Sequence, residues 1–217
     1  MSLPDPMSLP EPVLLYDQPR APNPMRLNLF LAEKGVEIPR QMVDLLKGEH
    51  KAPEYLEKTG MPQCPALELS DGTVLTETLA IARYVEALYP EPNMFGHDPL
   101  EAAMIEMWQR RVEFGLFASV GFCFRHTNPH LAVLEDQVPE WGEINRGRIE
   151  THLERLDRQL AGRAWLAADR MTMADVTGYI ATGFTRIIKY DMPAGLEHLT
   201  AWRARIAARP SVAAIGG

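Results

Sequence analysis

A cysteine and a proline, Cys64-Pro65, head the apolar run Ala66-Leu67-Glu68-Leu69; beyond a Ser70-Asp71-Gly72 turn and Val74-Leu75-Thr76, an acidic and a hydroxyl residue follow at Glu77-Thr78. A proline at the head of a strand removes one ladder donor, so the strand starts there or lies at an edge. The main-chain groups of Cys64 are then free to pair with an extended peptide, most sharply if the Cys64-Pro65 bond is cis. Glu77-Thr78 opens the helical segment Leu79-Ala80-Ile81-Ala82-Arg83-Tyr84-Val85. Unpaired N–H groups at such a terminus bind carboxylates.

An amino-acid head group carries one ammonium and one carboxylate. Glu77 can accept from the first, while the Thr78 hydroxyl and the helix terminus donate to the second, which suits a γ-glutamyl peptide. Taken singly, Pro65 reads as a strand start and Thr76 or Glu77 as a helix cap. Together within one short stretch they point to a ligand.

The elements that must position them follow from periodicity. Val13-Leu14-Leu15-Tyr16 reads as a strand, Asn23 as an N-cap with Pro24 as first helical residue, and Lys34-Gly35 as the stop of that helix. A second strand over 38–43 and a short helix over 53–58 complete the order β-α-β-α-β-β-α, a mixed sheet with helices on its faces. Beyond Pro90-Glu91-Pro92 strand signals cease. Helical stripes run through Ile105, Trp108, Val112 and Leu116; Ile149, Leu153, Leu156 and Leu160; Val176, Ile180, Gly183 and Ile187; and Leu199, Trp202 and Ile206. Thr172-Met173-Ala174-Asp175 has the form of a capping box, in which Asp175 holds a helix end and does no chemistry. Trp141 and Trp165 read as packing residues.

The expected architecture is an α/β domain over 12–90 followed by an all-α domain over 99–217. Residues 1–11, proline-rich and repeating Met-Ser-Leu-Pro at 1 and 7, read as a disordered or cloning-derived tail. A chain of 217 residues, 46% hydrophobic, can bury a full core. Its 22 basic and 29 acidic residues give a net charge of −7 without a basic run, which argues against nucleic acid and anionic membrane as partners. Two cysteines, Cys64 and Cys123, make neither a disulfide framework nor a metal template, so no metal is expected and the compartment reads as cytoplasmic. No run has the length of a transmembrane helix, and Asp5 interrupts any secretory signal.

Across Val13 to about Ile215 the chain resembles the cytosolic glutathione transferases. The carrying residues are Pro24-Met25-Arg26-Leu27 through Glu33-Lys34-Gly35, Lys47-Gly48-Glu49-His50-Lys51 with Pro53-Glu54, Cys64-Pro65-Ala66-Leu67, Glu77-Thr78-Leu79-Ala80-Ile81, and Thr172 to Asp175. It is most similar to a fungal and bacterial group that shares the Gly-Glu-His-Lys segment and a motif like Phe124-Arg125-His126-Thr127-Asn128-Pro129. The resemblance implies a thioredoxin-like N-terminal domain that binds glutathione as co-substrate, a helical-bundle domain that forms the pocket for a hydrophobic electrophile, and a homodimer. It further implies that Cys64 pairs its backbone with the cysteinyl unit beside cis-Pro65, that Glu77 and Thr78 hold the γ-glutamyl end, and that His50 and Lys51 face the glycyl carboxylate.

One departure stands out. Members of this family activate the glutathione thiol with a Tyr, Ser or Cys near the first helix; the Ser/Cys position is Ala21 here, and Tyr16 lies early, on the first strand. The thiolate is the nucleophile, so something else must lower the thiol pKa. The candidates are the helix N-terminus near Asn23, the Asn23 amide, Arg20, and His126 or Thr127 from the second domain. Aromatic residues Phe114, Phe117, Phe122, Phe124 and Tyr190 are candidates for the electrophile pocket and equally for core. Transfer of glutathione to a hydrophobic electrophile is the leading expectation, for detoxification. Glutathione-dependent disulfide or peroxide reduction and a non-catalytic binding module are the competing readings.

Overall fold

The computed structural model describes residues 9–133 and 135–216. The chain forms two compact units, one of the residues through Asn93 together with those from Pro210 onward, the other Met94–Arg209. Of the tail expected over 1–11, residues 1–8 lie outside the described residues. The rest differs from that expectation: the Pro10 carbonyl accepts the Tyr84 hydroxyl at 2.6 Å, and Glu11 exchanges bonds with Ser70.

In the first unit, β1 (Pro12–Asp17), β2 (Arg40–Met42), β3 (Ala66–Leu69) and β4 (Val74–Thr76) form one sheet in the order β2-β1-β3-β4. β1 runs parallel to β2 and antiparallel to β3, which is antiparallel to β4. The second strand is shorter than the span 38–43 because Pro39 has no N–H to give the ladder; its carbonyl still accepts Leu15 N–H at 2.8 Å. Leu15, Ala66 and Leu67 are fully buried. Helices α1 (Pro22–Lys34) and α3 (Thr78–Leu88) pack together, and α2 (Pro53–Thr59) lays Tyr55 against Tyr16, Cys64 and Ala66. Gly35 ends α1 at φ 64°, a left-handed conformation that costs a glycine nothing. The buried Lys34 ammonium, in the last turn of α1, donates instead to the carbonyls of Tyr89, at the end of α3, and Pro92, at 2.8 and 2.7 Å.

The second unit is helical: α4 (Pro99–Arg111), a π-helical stretch Val112–Phe117, α5 (Ala118–Thr127), α6 (Pro139–Leu160), α7 (Met173–Phe184) and α8 (Glu197–Ala207). The stripes on α4, α6 and α8 are buried as expected. That on α7 ends early: the helix tightens to a 3₁₀ turn over Thr185–Ile188 before Lys189 at φ 50°, which leaves Ile187 41% exposed. Asp175 completes the capping box and accepts four bonds, from Thr172 N–H and hydroxyl, Leu166 N–H and Trp202 Nε1–H, all between 2.9 and 3.0 Å. The C-terminal helix α9 (Pro210–Ala214) belongs with the first unit, where Ser211 meets Glu33; this differs from the helical span 99–217 expected. Among the described residues no helix is long and apolar enough to cross a membrane.

Candidate functional site

Strand direction gathers the sequence motifs of the first unit at one end of its sheet. Tyr16 opposes Ala66, which opposes Thr76. The exit of β1 toward α1, the entry of β3 from Cys64-Pro65 and the exit of β4 into Glu77 therefore coincide. β2, parallel to β1, leaves toward the Glu49–Lys51 turn from this end too. Ligand sites in open α/β sheets lie at such carboxyl ends.

At the start of α3, Glu77 has φ 68° and ψ 119°, outside the comfortable regions for a residue with a Cβ. Such a conformation costs about 1–3 kcal/mol and collects at functional sites. Glu77 is exposed, whereas Thr78 is buried. The N–H groups of Thr78, Leu79 and Ala80 have no acceptor among the described residues, and the first turn holds no acidic residue. This terminus can receive a carboxylate. The Cys64-Pro65 bond is cis, and neither main-chain polar group of Cys64 bonds another described residue, so both remain for an extended ligand.

The start of α1 departs from the sequence reading. Asn23 is not the N-cap; Ala21 holds that place, extended at φ −83° and ψ 142°, with Pro22 as first helical residue. The residue before a proline avoids helical angles, so the boundary falls at Ala21-Pro22. Nor does the terminus offer several N–H groups. Pro22 and Pro24 have none, and Ala21 N–H bonds the Gln18 carbonyl at 2.9 Å. The Asn23 N–H is the one first-turn donor left without an acceptor among the described residues. Its side-chain oxygen takes a bond from the Arg26 guanidinium at 2.8 Å, and its carbonyl accepts the Thr78 hydroxyl at 3.4 Å. Arg20 lies exposed in the preceding turn. Tyr16 is buried with its hydroxyl on Glu68 at 2.9 Å, and burial raises its pKa.

His50 and Lys51 differ from a cationic pair. Lys51 is exposed, but His50 is buried, and burial with the neighbouring Lys51 charge pushes its imidazole below the usual range, so it is neutral at pH 7. Its Nδ1 is buried without a partner among the described residues. An orphan ring nitrogen of this kind is satisfied by a ligand or a water. The Cys64 thiol is buried too, 3.4 Å from the Tyr55 hydroxyl, and burial pushes its pKa up. It is a poor nucleophile. A cleft of about 590 Å³ between β2 and α2, lined by Tyr16, Met42, Tyr55 and Lys58, reaches neither Glu77 nor Asn23.

In the helical unit, His126 sits in the last turn of α5. Its Nδ1 accepts the Val138 N–H at 3.1 Å, and a backbone N–H can only donate, so the ring proton is on Nε2. Gly142 permits this arrangement: a Cβ there would fall 2.5 Å from Thr127 Cγ2 and 3.2 Å from His126 Cβ. Thr127 gives its hydroxyl proton to the Cys123 carbonyl at 2.7 Å, so it is not the spare donor expected. Phe117 and Phe124 both pack on Phe184, with centroids 6.4 and 5.8 Å apart. Phe184 was not legible in the sequence, where it falls outside the stripe through Val176, Ile180, Gly183 and Ile187. Phe114 is 70% exposed, and Phe122 meets Trp141 at a tilt, with Trp141 itself 36% exposed rather than packed away.

Residues 11–87 match the family model described as glutathione S-transferase, N-terminal domain, and residues 123–210 that described as glutathione S-transferase, C-terminal domain. The chain is 38% identical over 204 residues to Glutathione S-transferase 2 of Saccharomyces cerevisiae, covering 92% of this chain and 88% of that one. Among solved structures it is similar to Gtt2 from Saccharomyces cerevisiae, with a TM-score of 0.89 and 37% identity over 94% of this chain and 100% of that one. A glutathione S-transferase domain-containing protein from Marinobacter aquaeolei VT8 superposes with a TM-score of 0.87 and 37% identity, covering 92% of this chain and 100% of that one.

Proposed function

The chain belongs to the glutathione S-transferase family, and from that premise we propose that its thiol activator is Asn23, in place of a tyrosine, serine or cysteine side chain. It is an enzyme, a glutathione S-transferase with glutathione as co-substrate. One observation carries the reading of its mechanism. At the start of α1, Ala21 has no side-chain donor, Pro22 and Pro24 have no N–H, and Asn23 alone keeps a main-chain N–H without an acceptor among the described residues, beside a side-chain amide. Hydrogen bonds to the charged form of a group favour that form, so two donors on the sulfur lower the thiol pKa. The α1 dipole adds in the same direction.

The rest of glutathione follows the sheet end. Glu77 takes the γ-glutamyl ammonium, and Thr78 with the α3 terminus takes its carboxylate. Cys64 pairs its main chain with the cysteinyl unit beside Pro65. The glycyl carboxylate goes to Lys51 as the cation and to His50 as a neutral donor through its orphan nitrogen. Arg20, in the turn before α1, supplies a positive charge on the same unit. The thiolate then attacks a hydrophobic electrophile, by aromatic substitution, conjugate addition or halide displacement. We take the working form to be a homodimer, for which light scattering at twice the 24.4 kDa chain mass is the check.

The deciding experiment titrates the thiol of bound glutathione by its thiolate absorbance. Asn23→Ala should raise its pKa by about one to two units, since a hydrogen bond to a charged group contributes roughly 1.5–3 kcal/mol. An unchanged thiol pKa in that variant removes Asn23 from the mechanism.

A further inference from the structure

An amide side chain is ambiguous as an activator. Its nitrogen stabilises a thiolate, but its oxygen, presented to the same sulfur, repels it; a rotation of the amide exchanges the two. An exposed asparagine on a helix surface has little to choose between these states. Here the choice is made by Arg26, one helical turn further along α1 and only 3% exposed. Its Nη2 meets the Asn23 side chain at 2.8 Å. A guanidinium has five donors and no acceptor, so the atom it meets must be the amide oxygen. The two hydrogens on Asn23 Nδ2 are thereby not engaged by Arg26 and, on an exposed residue, remain for a ligand.

The main chain of Asn23 is held as well, by the Thr78 hydroxyl on its carbonyl. Backbone and side chain are thus fixed by different residues, and of the two contacts only the one from Arg26 selects which end of the amide remains for a ligand.

We propose that Arg26 is a positioning residue for glutathione activation: it locks the Asn23 amide with Nδ2, and not Oδ1, toward the sulfur. The proposal rests on the reading that Asn23 donates to the sulfur. It goes beyond that reading in naming the buried arginine that makes an asparagine usable as an activator. Arg26 touches no reacting atom in this scheme, and its effect passes through Asn23.

The test is a double-mutant cycle on the thiol pKa of bound glutathione, read with the KM for glutathione and with kcat/KM. In the wild-type background, Arg26→Met should raise the thiol pKa by about one unit and lower kcat/KM roughly tenfold below that pKa, with KM changed by less than about threefold. Arg26→Lys, which keeps a cationic donor on a shorter reach, should fall between. In the Asn23→Ala background, Arg26→Met should add little. An equal shift in both backgrounds would mean that Arg26 acts as a bare charge, and overturns the proposal. If Asn23→Ala raises the pKa and Arg26→Met does not, the positioning role falls while the activator reading stands. If Asn23→Ala has no effect, both fall. Asn23→Asp guards against a failure of the Arg26 variants to fold: it keeps a partner for Arg26 but puts an oxygen where Nδ2 stood. Its thiol pKa should exceed that of Asn23→Ala, and a wild-type value refutes the proposal.

Discussion

The hydroxyl of Thr78 donates to the main-chain carbonyl of Asn23 at 3.4 Å, which fastens the first turn of α3 to the first turn of α1. One end of the proposed glutathione site anchors the γ-glutamyl group, and the other meets the sulfur. Thr78→Val should therefore affect both readouts. At that length the bond is weak, so the loss should be modest, about tenfold in glutathione affinity with a rise in thiol pKa of less than one unit. Calorimetry and thiol titration on one variant check it; a change in affinity with no change in thiol pKa would show that the two helix starts work independently.

Glu77 combines a strained backbone with an exposed carboxylate. Losing its contact with an ammonium in Glu77→Ala should cost about 1.5–3 kcal/mol, roughly one to two decades in glutathione affinity. Glu77→Gly should bind no better but should fold at least as stably as Glu77→Ala, although glycine ordinarily costs about 0.5–1 kcal/mol, because at φ 68° it removes the Cβ clash. Thermal melts of the two variants without ligand read this directly. A glycine variant clearly less stable than the alanine one would mean that the conformation carries no strain.

Both thiols should be silent in the folded protein. Cys64 is 8% and Cys123 0% exposed, and burial raises the Cys64 pKa. A colorimetric thiol reagent at pH 8 should therefore react slowly with native protein and with both cysteines after denaturation. Fast reaction of one native thiol would reopen catalysis through the protein's own sulfur.

Local signals were legible from the residues alone. Gly35, Pro65 and the Thr172–Asp175 box each act within a few residues of chain, and each falls where its chemistry places it. Asn23 misled because two prolines flank it. Asparagine before proline reads as a cap, yet Pro22 had already set the boundary two residues earlier. The two prolines that caused the error also remove the neighbouring N–H donors, so the misreading and the proposed activity have one physical source. What stayed hidden depends on distant chain. The Phe184 cluster requires α5 and α7 side by side, the neutral state of His50 comes from burial, and α9 leaves the helical unit through a pairing between Ser211 and Glu33. The role of Arg26 was likewise invisible, since an i, i+3 pair of this kind on an exposed face would be unremarkable, and only the burial of the guanidinium gives it direction.

The helical unit contains its own acid-sensitive clasp. Arg170 grips both oxygens of Glu101 at 2.6 and 2.9 Å, and the His97 N–H adds a third bond at 2.7 Å. Chiefly through Arg170, these hold the Glu101 carboxyl down at about 2, against an ordinary 4.5. A group with a depressed folded pKa contributes stability that is full above its unfolded value and is lost as pH falls through the folded one. The clasp should therefore act in full above about pH 5 and fade between pH 4.5 and 2. Bidentate but partly solvated, it should contribute on the order of 1 kcal/mol. Glu101→Gln lacks the titrating group, so the difference in urea midpoint between wild type and this variant should be constant from pH 8 to about pH 5 and shrink toward zero near pH 2. A difference that persists unchanged at pH 2 would mean the glutamate acts through neutral packing, and one that grows on acidification would reverse the sign of the linkage.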